Sequence, residues 1–148
     1  MIGNADVTIW RRCSSSDTHL VRATLIRVSC VSLGRRGRLT SVEQSLVEHV
    51  GRGGRLDLAA GEAVDEAAMR SWGKSRTCRA SVIRDILRGR LAADPDPHGL
   101  RLRGARITGR LDLQSLTTDV RFELADCLLE EGVLARDARL AFVGLAGC

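Results

Sequence analysis

At 148 residues with 44% hydrophobic side chains, the chain has room for one ordinary domain with a packed core. Two Phe, two Trp and no Tyr leave that core to Leu, Val, Ile and Ala, and argue against an aromatic platform for stacking bases. The net charge of +5 sits wholly in residues 1–38, where seven Arg face Asp6 and Asp17; residues 39–98 and 99–148 each balance, which excludes a phosphate-binding surface spread over the folded part.

Residues 1–38 mix Arg, Ser and scattered apolar side chains without a sustained period and end in Gly34-Arg35-Arg36-Gly37-Arg38. That is the pattern of a disordered or poorly packed basic extension. The alternatives are a basic arm for nucleic acid or an acidic membrane surface, an organellar transit peptide, or a stretch upstream of the true start. Residues 20–33 are the most apolar here, but Arg22 and Arg27 interrupt them and they are too short to span a bilayer. No transmembrane segment is predicted, and Arg27 with no convincing cleavage site after it speaks against a secretory signal. Cys13, Cys30, Cys78, Cys127 and Cys148 are odd in number, with no CxxC spacing and no nearby pair of His. Neither zinc nor a disulfide framework is expected, and a reducing cytoplasm fits, with peripheral membrane association compatible.

Residues 39–98 read as a helical cap. Thr40-Ser41-Val42-Glu43 is a candidate capping box, and Val42, Leu46 and Val50 recur at four-residue spacing before Gly51, the expected stop. A short helix is expected over residues 64–70. A stronger one is expected over 77–88, with Val82, Ile83, Ile86 and Leu87 on one face and Gly89 at its end. Pro95 and Pro97 then forbid continuation.

Residues 99–148 repeat. Apolar or small pairs two apart return every five or six positions: Leu100/Leu102, Ala105/Ile107, Leu111/Leu113, Leu116/Thr118, Phe122/Leu124, Cys127/Leu129, Val133/Ala135, Ala138/Leu140 and Val143/Leu145, with Cys148 opening another. Two inward residues flanking an outward one is strand geometry, and the polar residues between pairs turn corners. If four pairs complete a coil, pairs four apart stack. Leu100, Phe122 and Val143 then form one column, Ala105, Cys127 and Cys148 another, while Leu111 stacks with Val133 and Leu116 with Ala138. Residues 55–58 repeat the Arg-Leu-Asp-Leu of 110–113, by chance or as a short strand tying the cap to the coil.

This pattern resembles the pentapeptide-repeat family, whose unit has a small residue at the first inward position and Leu or Phe two later. The strongest matches are Gly104-Ala105-Arg106-Ile107-Thr108, Ala125-Asp126-Cys127-Leu128-Leu129 and Asp137-Ala138-Arg139-Leu140-Ala141. Several steps are six residues long, Leu111, Leu116, Phe122 and Val133 are bulky at the small position, and Thr118 is polar at the large one. Over residues 39–148 the order of Ser71-Trp72-Gly73, Arg79-Ala80, Ile83-Arg84-Asp85-Ile86-Leu87-Arg88-Gly89 and Pro95-Asp96-Pro97-His98-Gly99-Leu100 is similar to uncharacterised actinobacterial pentapeptide-repeat proteins. Some of those carry an oxidoreductase label, sometimes with a membrane-associated qualifier. The resemblance implies an α+β chain in which an N-terminal helical cap precedes about two coils of a right-handed quadrilateral β-helix.

Candidate chemistry is sparse. Residues 68–75, Ala68 to Ser75, satisfy a permissive phosphate-loop pattern, but a helix-like stretch precedes them and Trp72 is bulky, so Trp72 reads as a core anchor with Gly73 and Ser75 turning into the next helix. Gly51-Arg52-Gly53-Gly54-Arg55-Leu56 lacks the third Gly of a dinucleotide fingerprint. His19, His49 and His98 are scattered and read as surface or loop residues. Cys127 and Cys148 would stand one coil apart at a spacing that suggests a disulfide, yet with parallel side chains in the core they read as inert stacked thiols. The resemblance also implies a DNA-mimicking negative rod as one role in the wider family, and Asp112, Asp119, Glu123, Asp126, Glu130, Glu131 and Asp137 are the outward acids that could build it. Seven Arg on the same segment cancel their field.

The sequence therefore assigns no catalytic, cofactor-binding or metal-binding residue and expects no cofactor. It leads to a non-catalytic scaffold for an unidentified protein partner. The alternatives are a fragment of a larger protein labelled oxidoreductase, and a nucleic-acid or topoisomerase-directed protein, with nucleic acid engaged only through residues 1–38. Because solenoid ends need covers, Cys148 is expected to mark a truncation, or the coil there to be covered by another chain or by self-association.

Overall fold

The computed structural model describes residues 38–148; the basic extension apart from Arg38, with His19, Cys13 and Cys30, lies outside the described residues. The first helix, α1 (Ser41–Arg52), starts at the expected capping box. The Thr40 hydroxyl accepts from the Glu43 N–H at 3.3 Å, and the Glu43 carboxylate accepts from the Thr40 N–H at 2.8 Å. It does not stop at Gly51. The helix runs to Arg52 and ends at Gly53, whose φ of 67° is the left-handed cap conformation that glycine adopts without strain. Val42, Leu46 and Val50 form its buried face.

Between the helices the chain makes two short strands that the helical reading of residues 39–98 did not contain as a firm expectation. β1 (Leu56–Asp57) is the strand considered for residues 55–58. α2 (Glu66–Ser71) begins two residues later than expected because the Asp65 carboxylate caps it, accepting from the Ala68 N–H at 2.7 Å. Trp72 is buried as anticipated, with the Arg76 guanidinium 5.4 Å from its ring centroid. The expected helix over 77–88 is split. Thr77–Arg79 is a strand, β2, and only Ala80–Leu87 is the helix α3. Arg79 stands at the start of α3 without a capping side chain, and Ser75 sits in a 3-10 turn (Lys74–Arg76) instead of capping the helix.

Nine more strands follow: β3 (Leu100–Arg103), β4 (Arg106–Thr108), β5 (Leu111–Asp112), β6 (Thr117–Thr118), β7 (Phe122–Ala125), β8 (Leu128–Leu129), β9 (Val133–Leu134), β10 (Arg139–Leu140) and β11 (Val143–Ala146). β3, β4, β5 and β6 enter four different sheets in turn, and β7 to β10 enter the same four in the same order before β11 returns to the first. Every pairing is parallel. The register sets Leu100 beside Phe122 and Phe122 beside Val143, Leu102 beside Leu124 and Leu124 beside Leu145, Ile107 beside Leu129, Leu111 beside Val133, and Thr118 beside Leu140. These are the columns the spacing of apolar pairs anticipated. β1 and β2 extend two of the sheets at the other end, pairing Leu56 with Leu102 and Cys78 with Ile107.

Alternation explains the core. Leu100, Leu102, Ala105, Ile107, Leu111, Leu113, Phe122, Leu124 and Cys127 are all buried, while the middle residues Arg101, Arg106, Asp112 and Glu123 are only partly buried. Thr118 tolerates its buried position because its hydroxyl accepts from the Val120 N–H at 3.1 Å. Corners are made by stacked left-handed residues. Gly104 (φ 73°), Asp126 (φ 48°) and Gly147 (φ 66°) form one column, and Ser115 (φ 54°) and Asp137 (φ 53°) another. At Gly104 a Cβ would overlap that of Ala59, so close approach as well as backbone angle selects glycine. α1 packs against β3 and β2, and α3 against β5.

Candidate functional site

The outer surface is organised as ion pairs between successive turns. Arg103 bridges Asp57 at 3.1 Å and Asp126 at 2.7 Å, and those two carboxylates raise its pKa. Arg55 pairs with Glu123 at 2.8 Å, Arg84 with Asp112 at 2.7 Å, and Arg106 with Glu130. Asp112, Glu123, Asp126 and Glu130 are thus neutralised locally. Exposed pairs of this kind contribute little stability singly. Each pair also reduces the negative potential at its place on the surface.

One buried pair behaves differently. Glu43 is 0% exposed and accepts four hydrogen bonds: Arg79 N–H at 3.1 Å, Arg79 Nε at 2.7 Å, an Arg79 terminal nitrogen at 2.7 Å, and the Thr40 N–H at 2.8 Å. Burial alone would raise its pKa, but the Arg79 side chain and the backbone N–H groups of Thr40 and Arg79 outweigh that and hold it at about 2. The pair fastens α1 to the junction of β2 and α3.

An open groove of about 400 Å³ lies along Pro97, His98, Arg101, Arg121, Glu123 and Phe142. The Arg121 guanidinium lies 4.4 Å from the Phe142 ring centroid. Arg101 donates to the Gly53 carbonyl, and Glu123 is engaged by Arg55. His98 is 2.7 Å from the Asp96 carboxylate, whose pKa is lowered by the His98 backbone N–H and side chain. The groove therefore presents mixed charge beside one aromatic face. It brings together no nucleophile and base at hydrogen-bond distance.

The other residues weighed from sequence stay apart. His49 bonds the Ser45 carbonyl at 2.7 Å, a helix-internal contact. Residues 68–75 span the end of α2 and a 3-10 turn, with a helix rather than a strand directly before them and no α-helix opening at Lys74, so they do not have the form of a phosphate loop. Among the described residues no group of three or more His, Cys, Asp or Glu could hold a metal ion.

The thiols depart from the sequence reading. Cys78, Cys127 and Cys148 are free. Cys78 is buried, and burial pushes its thiol up to about 12. Cys127 is buried but Cys148 is exposed, so the expected pair of inert core thiols is half correct. The neighbouring Cys127 thiol lowers Cys148, and Cys148 together with burial holds Cys127 above the ordinary thiol range.

The capping box was legible and led to Glu43, but its partner Arg79 was not, because nothing in the chain links positions so far apart. The Arg121–Phe142 stack carried a signal in the repeat: position 121 lies opposite 142 once Phe122 is paired with Val143. No family model, curated protein or solved structure matches the chain.

Proposed function

We propose that residues 39–148 form a pentapeptide-repeat-type, right-handed quadrilateral β-helix with an N-terminal cap, and that it acts as a non-catalytic scaffold for a protein partner. The four parallel sheets entered in a fixed order, with one column per inward position, support the architecture. The observation that carries the binding role is the distribution of exposed apolar side chains. Val133, Phe142, Val143 and Leu145 are 38–47% exposed, and all lie on the turn that ends in β11, the edge strand of its sheet among the described residues. Apolar side chains beside a strand edge are the features by which a further extended segment, of a longer chain or of a partner, adds by main-chain hydrogen bonding.

The paired outer carboxylates weigh against DNA mimicry by the coil, and the oxidoreductase alternative rests on the resemblance alone. Free thiols accord with a reducing, cytoplasmic setting. No helix among the described residues is long and apolar enough to cross a membrane.

The test is capture from the native cell with the full chain as bait, compared with a Val143→Asp/Leu145→Asp variant and an Arg136→Glu control on an exposed corner. A specific partner held by the wild type and the control but weakened about tenfold or more by the double change supports the reading. Equal capture by all three contradicts it. A second copy of the chain as the captured species would identify the occupant as self-association.

A further inference from the structure

We propose that the open groove beside β3 and β7 is a docking site for an acidic segment of a protein partner, with Arg101 and Arg121 as the groups that receive its carboxylate. This rests on the protein-partner reading above and adds the chemistry of one contact to it.

The winding brings the lining together. In register, Arg101, Glu123 and Gly144 form one outward column of the sheet that holds β3, β7 and β11. The Leu100 N–H donates to the Arg121 carbonyl at 2.8 Å and the Phe122 N–H to the Phe142 carbonyl at 3.1 Å, so Arg121 and Phe142 stand on successive turns at the corner that leads into that sheet. Pro97 and His98, just before β3, complete the groove.

Two guanidiniums there are left unmatched. Arg55, Arg84, Arg103 and Arg106 each pair with a carboxylate of another turn, but among the described residues neither Arg101 nor Arg121 makes an ion pair. Arg101 donates to the Gly53 carbonyl, and its Nε is buried with no hydrogen-bond partner. Arg121 rests on the Phe142 ring. The nearby carboxylates are already engaged: Glu123 accepts from Arg55 at 2.8 Å, and Asp96 accepts from the His98 N–H at 2.9 Å, with His98 Nδ1 2.7 Å away. With Arg55 included, three guanidiniums face two carboxylates. An excess that small suits a single carboxylate, whereas Glu123 and Asp96 repel a polyphosphate or nucleic-acid backbone.

Phe142 supplies the geometry. Gly144 has no side chain, and a Cβ there would stand 3.2 Å from Phe142 Cε1 and 3.3 Å from Glu123 Cγ. The ring therefore lies against β11 and carries Arg121 on its face, which limits the rotamer freedom that the guanidinium gives up on binding. A carboxylate meets a planar fork of donors there, and an apolar neighbour of the acid has Phe142 and Pro97 to rest on.

The test titrates the isotope-labelled full chain with a capped pentapeptide carrying one aspartate beside a phenylalanine, and with its asparagine counterpart. Backbone amide signals of Arg101, Arg121 and Glu123 should move together and saturate with the aspartate peptide alone, and added salt should weaken the binding. Arg121→Gln, at an exposed position, should leave the circular dichroism unchanged and weaken binding roughly fivefold, the scale of one exposed charge pair. Phe142→Leu should weaken it by freeing the guanidinium, and Arg136→Gln, on another corner, should not change it. The inference is overturned if the asparagine peptide binds equally, or if Arg121→Gln and Phe142→Leu both bind as the wild type does. It is also overturned if a short single-stranded oligonucleotide moves the same signals at lower concentration. No captured partner enters the titration, so its failure strikes the acidic-segment inference alone, whereas equal capture by the β11 variant strikes the scaffold reading.

Discussion

Replacing Glu43 by Gln removes a buried negative charge while keeping the side chain's shape. The carboxylate accepts four hydrogen bonds, three from Arg79 and one from Thr40, so the amide must point a donor at groups that themselves donate. Its pKa falls from 4.5 to about 2 on folding, which corresponds to about 3 kcal/mol of stability at neutral pH. Because the folded-state pKa is the lower one, that stability is complete above the unfolded value near 4.5. It is lost as the pH falls towards 2. Glu43→Gln should therefore destabilise by about 3 kcal/mol at pH 7, or roughly 10 °C in Tm for a domain of this size. Urea unfolding of both proteins at pH 7 and at steps down to about pH 2.5 measures the gap, which should shrink on acidification because only the wild type loses the charge. A gap below about 0.5 kcal/mol at pH 7, or one that stays constant to the lowest pH, would refute the reasoning.

Three further outcomes follow from the winding. Phe122→Ala empties a fully buried position between Leu100 and Val143 and should cost about 3–5 kcal/mol by chemical denaturation. Gly99→Ala drives a Cβ into the Arg121 carbonyl oxygen at a φ of 68°, so a loss of roughly 2 kcal/mol or more is expected in the same assay. Ser115→Gly, at a φ of 54°, should have the opposite sign or no effect, within about 1 kcal/mol, because glycine relieves the left-handed strain without a packing loss at an exposed corner.

What the sequence disclosed and what it hid follow from the range of the forces involved. Alternation within a strand is a local property, so the inward positions from Leu100 to Cys127 could be read directly, and a count of four pairs per turn then set their columns. Thr77 and Cys78 defeated the helical reading because they adjoin a strong helical period, and only pairing with Arg106 and Ile107, across the chain, makes them a strand. Gly51 looked like a stop because glycine is a poor helix former, but its cost of about 1 kcal/mol is tolerated in a helix already held by Leu46 and Val50. Gly53 ends the helix because it takes the left-handed conformation, which composition does not encode. Cys127 and Cys148 were legible as neighbours through the repeat, but the difference in burial between them was not.

Parallel turns stacked in register are the central feature of the molecule, and backbone nuclear Overhauser effects read them directly. Contacts should link Arg101 to Glu123 and Glu123 to Gly144, with the same progression from Arg106 to Leu128 and from Thr117 to Arg139. Antiparallel contacts between strands adjacent in sequence, such as β3 with β4 or β7 with β8, would contradict that winding.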